Sequence, residues 1–245
     1  GTSPMDYLAA WRLHKAKHLL VAHRMGVAET CHEVGYTSVG TFSRRFLRDV
    51  GTPPGALRRI ADRVAERFDG RDVRLVVSSP LERAQETALP TARRRGLPVV
   101  LDADLIEAGN KFEGVNVNRN RLVLAHPRYW PWYANPFKPS WGEPYADIVE
   151  RMSSAVRRAL DLAHGGEAVL VSHQLPIWTM RSFVEGRSLA HDPRRRQCAL
   201  CSVTSLSFIG RQLIGVGYDE PAADLLARAK DVTPGESRAA VHTGE

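Results

Sequence analysis

A chain of 245 residues, 43% of them hydrophobic, can fill one large core or two unequal ones. It has no run of about 18 apolar residues, which predicts no membrane-spanning helix, and Gly1-Thr2-Ser3-Pro4 lacks the basic-then-apolar pattern of a signal peptide. Three cysteines, an odd number, give no disulfide framework, so a cytoplasmic location is expected; the net charge of +7 sits mostly in the first quarter, where residues 1–59 hold nine Lys/Arg against four Asp/Glu.

The first segment reads as wholly helical. Tyr7, Leu8, Trp11, Ala16, Leu19 and Leu20 recur at helical spacing and predict an apolar stripe on a helix over Met5–His23. A short helix over Val27–Val34, the turn Gly35-Tyr36, and a helix over Val39–Asp49 capped by Ser38 follow, which is a helix-turn-helix pattern. Gly1-Thr2-Ser3-Pro4 is echoed fifty positions later by Gly51-Thr52-Pro53-Pro54, each a turn with proline at or near the start of a helix.

From about Ile60 the texture changes to alternating helices and β-branched strands. Helices are predicted at 60–69, 80–95, 143–164 and 175–185, and strands at 73–77, 98–101, 167–171, 202–209 and 211–217. Gly210 is placed in the turn between the last two strands, although one residue is short for a hairpin loop. Residues 103–141, rich in Asn, Pro and Trp, read as irregular, and the polar tail after about Ala227 as disordered. Strand–helix alternation predicts an α/β fold, a three-layer, largely parallel sheet preceded by a small all-helical segment. The expected division is 1–59, 60–226 and a tail at 227–245.

Ser78-Ser79-Pro80-Leu81-Glu82-Arg83-Ala84 ends a buried strand and opens a helix, and Val171-Ser172-His173-Gln174 ends another strand in the same way. Helix N-termini beyond strand ends are where α/β proteins hold anions. With Leu105-Ile106-Glu107 and Phe112-Glu113-Gly114 between them, these motifs resemble, in order and spacing, the histidine phosphatase (phosphoglycerate mutase-like) superfamily over residues 60–220. The resemblance implies Arg83 and His173 as phosphate clamps, the histidine as an imidazolium, and Glu107 as the proton donor to the leaving alkoxide. It implies no metal and no cofactor; the partner is phosphate or a small phosphorylated molecule. Singly, Arg83, His173 and Glu107 each read as ordinary surface or strand-end residues; together, at strand ends and in this order, they read as a site.

The superfamily opens with a central strand ending in Arg-His-Gly, whose histidine is the nucleophile, and no Arg-His-Gly occurs in this chain. Its loss implies no ordinary phosphoryl-transfer turnover, two unpaired neighbouring strands and a gap in the core. Trp130, Pro131, Trp132, Tyr133 and Trp141 could form a lid over the site or simply pack on the domain. Cys198-Ala199-Leu200-Cys201 is read as structural rather than metal-binding.

Residues 1–59 resemble the C-terminal part of the AraC-type DNA-binding domain, through Val34-Gly35-Tyr36-Thr37-Ser38, Phe42-Ser43-Arg44-Arg45-Phe46 and Gly51-Thr52-Pro53-Pro54. The resemblance implies Tyr36, Phe42 and Phe46 as core, Val39, Gly40, Ser43 and Arg44 as the groove-facing set, and Arg45, Arg48 and Arg58 as phosphate contacts. Only the joining helix and second unit of that domain are matched, so DNA binding is expected to be weak, at best about 10⁻⁴ to 10⁻⁶ M. Three readings follow: an impaired phosphatase-like protein acting on or binding a phosphoester, a transcriptional regulator sensing a phosphorylated ligand, and a fusion of two truncated parts without function. The first leads by length. No glycine- or proline-rich linker occurs near Arg58–Arg63, which favours the third over the second.

Overall fold

A computed structural model describes residues 4–109, 142–191 and 196–226. The motif Phe112-Glu113-Gly114, the aromatic segment at Trp130–Tyr133 with Trp141, and the tail from residue 227 lie outside the described residues.

Four helices come first: α1 (Pro4–Val21), α2 (Val27–Glu33), α3 (Val39–Val50) and α4 (Pro54–Glu66). The fifty-residue echo is visible in them, since α1 and α4 both begin at a proline. Ser38 caps α3 as expected, accepting from the Thr41 N–H at 3.3 Å. Gly51 ends the helix in the left-handed region at φ 86, which glycine adopts without a Cβ clash. The first core collects Leu13, Ala16, Leu20, Cys31, Val34, Phe42 and Phe46, with Tyr36 against it. The stripe on α1 differs from expectation at its N-terminal half, because Tyr7 and Trp11 are 70% and 53% exposed. The buried stripe instead runs through Leu13, Ala16, Leu19 and Leu20, the positions that meet α2, α3 and α4.

The second unit contains β1 (Val73–Ser78), α5 (Glu82–Arg95), β2 (Val99–Leu101), a 3-10 turn (Ala103–Leu105) and α6 (Tyr145–Leu162). Then come β3 (Glu167–Val171), α7 (Gln174–Val184), β4 (Val203–Ile209), β5 (Gln212–Asp219) and a short α8 (Ala223–Leu226). The sheet β2-β1-β3 is wholly parallel, and β4-β5 form a separate antiparallel pair. Successive strand residues point to opposite faces. Val76 accordingly packs with Val64, Phe68, Ala88 and Ala92 of the α4/α5 layer, while Val77 packs with Ile148, Met152 and Met180 of the α6/α7 layer. Three layers result. The turn between β4 and β5 has two residues, Gly210 at φ 58 and Arg211, which resolves the short loop expected there.

Two sequence expectations change. The helix read at 60–69 is the C-terminal half of α4, continuous from Pro54 and ending at Glu66, and α4 serves both units: Ala61 lies in the first core, Val64 in the second. A boundary at 59/60 thus falls inside one helix. Secondly, the strands flanking the missing family strand are not left unpaired. β1 and β3 hydrogen-bond directly, with Val76 opposite Val169 and Ser78 opposite Val171, and Val76 is fully buried between them and α5. Backbone groups left open at an inner edge would lose hydrogen bonds in a dry interior, so pairing the two strands is the favourable arrangement.

Candidate functional site

Closing β1 onto β3 brings their C-terminal ends together. The Ser79 N–H donates to the Val171 carbonyl at 2.9 Å, and the His173 ring, nearly buried, places Nε2 2.9 Å from Ser79 Oγ. Ser79 Oγ also accepts from the Leu81 N–H at 3.3 Å, one residue before α5. Arg83 is exposed in the first turn of α5, as its place in the motif predicts. Glu107 follows the 3-10 turn and sits half-buried, with Oε2 3.8 Å from His173 Nδ1 and Oε1 accepting from the Ala108 N–H at 3.0 Å. The fold therefore gathers all three phosphatase-like candidates at one sheet edge.

The electrostatics depart from expectation at His173. Burial, and then the positive fields of Arg83 and Arg151, lower its pKa from 6.5 to about 4, so it is a neutral imidazole near pH 7 rather than an imidazolium. Burial likewise pushes the Glu107 carboxyl up, against the opposing pull of the Ala108 N–H and of Arg83, Arg196 and Arg151. A carboxyl shifted this way holds its proton to higher pH, as a proton donor requires.

Three arginines at the site escaped the sequence reading. Arg151 on α6 forks onto Glu143 at 2.7 and 2.9 Å and donates to the carbonyls of Asp104 and Ile106 at 2.6 and 2.8 Å. Two turns further along the same face, Arg158 binds the carboxylates of Asp102 and Asp104. These two residues, seven apart on one helix, fix the 102–107 segment and so place Glu107. Arg196 acts electrostatically on Glu107, and its own pKa is lowered by burial. Its only sequence signal was membership in the run Arg194-Arg195-Arg196, which also suits a solvated loop. Ser172, a fourth addition, donates to the Leu105 carbonyl at 2.7 Å and ties the end of β3 to the same segment.

The helix-turn-helix face is built as its motif predicts, with Phe42 and Phe46 fully buried and Val39, Gly40 and Arg44 exposed beside the partly exposed Ser43. The arginines expected to meet phosphates are already engaged. Arg45 and Arg48 donate to Asp49 at 2.5 and 2.7 Å, and Arg58 donates to the Arg24 carbonyl at 3.0 Å. Burial raises the Asp49 carboxyl, but the bonds from Arg48 and Arg45 outweigh it and hold the group below its usual range. Cys198 and Cys201 behave as structural thiols, pushed up by burial to about 11 and about 12. No described helix is long and apolar enough to cross a membrane.

Comparison with known proteins agrees with this construction. Residues 58–219 match the family model of the histidine phosphatase superfamily (branch 1), and residues 1–60 that of a helix-turn-helix domain. An uncharacterized protein of Mycobacterium tuberculosis is 52% identical over 160 residues, spanning 65% of this chain and 79% of that protein. The probable phosphoglycerate mutase GpmB of Yersinia pestis is 28% identical over 186 residues, spanning 69% of this chain and 85% of GpmB. Among solved structures, YhfR of Bacillus stearothermophilus superposes with a TM-score of 0.51 at 26% identity, covering 65% of this chain and 80% of YhfR. A mutant phosphoserine phosphatase of Entamoeba histolytica, solved with phosphoserine, has the same TM-score at 20% identity, a likeness of fold alone, over 69% of this chain and 84% of that one.

Proposed function

Because the chain belongs to the histidine phosphatase superfamily, with an AraC-type helix-turn-helix domain ahead of it, we propose that it binds a phosphoester or phosphate at Arg83, His173 and Glu107 without turning it over. The observation that carries this reading is the Ser79–His173 hydrogen bond across directly paired strands. In the superfamily a further strand supplies an Arg-His-Gly nucleophile; in this chain the strand ends that would flank it hold each other. Arg83 supplies a fixed positive charge at a helix N-terminus, where free N–H groups favour an anion. An arriving dianion would favour protonation of the neutral His173, making it a second donor. Glu107 is the group placed to give up a proton, but nothing in the chain's motifs provides the atom that would take the phosphoryl group.

The test has two arms. Inorganic phosphate should raise the melting temperature of the full chain, by the equivalent of about 2.7 kcal/mol at one hundred times Kd, and Arg83→Ala should abolish the effect. p-Nitrophenyl phosphate at slightly acidic pH should show no turnover. Hydrolysis that disappears in His173→Ala would overturn the proposal.

A second reading is that the first unit binds DNA. It is favoured by the exposed groove-facing set Val39, Gly40, Ser43 and Arg44 on a helix whose other face is locked by Phe42 and Phe46. Val39 and Gly40 bring no hydrogen-bonding side chain to base edges, so binding would be weak and largely non-specific.

A further inference from the structure

Where α1 crosses α5, two helical i, i+4 pairs face one another: His14 and His18 on the first helix, Glu82 and Glu86 on the second. Residues four apart share a helix face, so each helix presents two ligand-type groups to the other. His18 Nδ1 lies 3.7 Å from a Glu82 oxygen and 3.7 Å from Glu86 Oε1. One atom from each of these three residues falls within 4.8 Å of the other two.

Two of those atoms lack partners. Glu86 is more than nine-tenths buried, and neither its Oε1 nor His18 Nδ1, both removed from solvent, has a hydrogen bond. A buried polar atom without a hydrogen bond is destabilising, and these two lie 3.7 Å apart. The surrounding groups are arranged as supports. His23 Nε2 is 3.2 Å from His18 Nε2, so the tautomer in which His18 Nε2 donates to His23 leaves Nδ1 as a lone pair for an ion. His14 holds the second oxygen of Glu82. Lys17, His14 and Glu82 are the other charged groups acting on Glu86.

We propose that His18 Nδ1, Glu82 and Glu86 form a site for a divalent first-row transition ion of the zinc class, bridging the helix-turn-helix unit and the phosphatase-like unit. A nitrogen ligand beside two carboxylates suits such an ion better than magnesium or calcium, which take oxygen ligands. Tetrahedral zinc with ligand bonds of about 2.0–2.1 Å separates its ligand atoms by about 3.3 Å, so the two 3.7 Å spacings from His18 need to contract by a few tenths of an ångström, and the two carboxylate oxygens, within 4.8 Å of one another, close by side-chain rotation. Water fills the fourth position. Binding displaces whatever proton Glu86 holds and satisfies both orphaned atoms at once.

The full chain, stripped with EDTA, is titrated with Zn²⁺ and then Co²⁺ by calorimetry, with thermal unfolding in parallel. One equivalent should bind per chain and raise the melting temperature, and Co²⁺ should give a visible absorption band of tetrahedral coordination. His18→Ala and Glu86→Gln should each weaken binding at least about tenfold, and His23→Ala should weaken it about 10–100-fold through loss of ligand orientation. Metal-free Glu86→Gln should melt no lower than the parent, because it removes a buried charge; this separates a lost site from a lost fold. His32→Ala, an exposed histidine on α2, should bind as the parent does. Absence of saturable binding by either ion, or equal affinity in Glu86→Gln and the parent, would overturn the proposal.

Discussion

His173 offers the sharpest test of the site's electrostatics. Its folded pKa of about 4 lies below its ordinary 6.5, because the ring is buried and faces Arg83 and Arg151. Below pH 6.5 the unfolded chain takes up a proton there that the folded chain refuses. Stability is therefore lost as pH falls from 6.5 and the loss is complete below about 4. At about 1.4 kcal/mol per pH unit, this loss reaches about 2 kcal/mol at pH 5 and about 3 kcal/mol at pH 4. For a chain of this size 2 kcal/mol corresponds to about 4–8 °C in melting temperature. His173→Gln keeps a polar group near Ser79 but cannot titrate, so the difference between parent and variant isolates the histidine from every other group. Urea unfolding at pH 4.5, 5.5, 6.5 and 7.5 should show the variant gaining on the parent as pH falls, whatever constant offset the lost contacts impose. Arg83→Ala, which removes one of the two opposing charges, should shrink the effect. Parent and variant curves that run parallel from pH 4.5 to 7.5 would refute the neutral, buried histidine and restore the imidazolium reading.

Other outcomes follow from the same geometry. Arg151→Ala should cost about 3–5 kcal/mol by stranding partly buried Glu143 and freeing the carbonyls of Asp104 and Ile106; Arg151→Lys should recover little, since a lysine cannot fork, and urea unfolding reads both. Glu107→Gln should tighten phosphate binding, by removing an acid beside the anion, which the phosphate-dependent thermal shift would register. Asp49→Asn removes the carboxylate that holds Arg45; affinity for a DNA duplex should rise, and the salt dependence should steepen by about 0.9 per added phosphate contact. Phe46→Ala should destabilise by about 3–5 kcal/mol in a core that leaves the ring no solvent.

The order and type of the elements were legible because their signals are local. Ser38, Gly51 and Pro54 punctuate the helices where the chain says they should, and the run Val73–Ser78 reads as a buried parallel strand because Leu75, Val76, Val77 and Ser78 are apolar or small on both faces. The candidates Arg83, Glu107 and His173 could be named because the short motifs around them resemble those of the superfamily. Arg151 and Arg196 could not, since a charged residue on an amphipathic helix or in a loop looks the same in sequence whether it meets water or a carboxylate. The N-terminal half of the α1 stripe was misread for a related reason: helical spacing says which residues share a face, not whether anything covers it.

The sequence by itself determined the helix-turn-helix, the strand–helix alternation and the absence of Arg-His-Gly, and it offered three candidate site residues, all properties of short windows or of composition. Only the tertiary structure decided that β1 and β3 pair directly, that His173 is neutral, that α4 belongs to two cores, and that the histidines of α1 meet the glutamates of α5. These depend on distances between residues 50 to 100 positions apart and on how much water each group loses, and neither quantity is written in any local stretch of the chain.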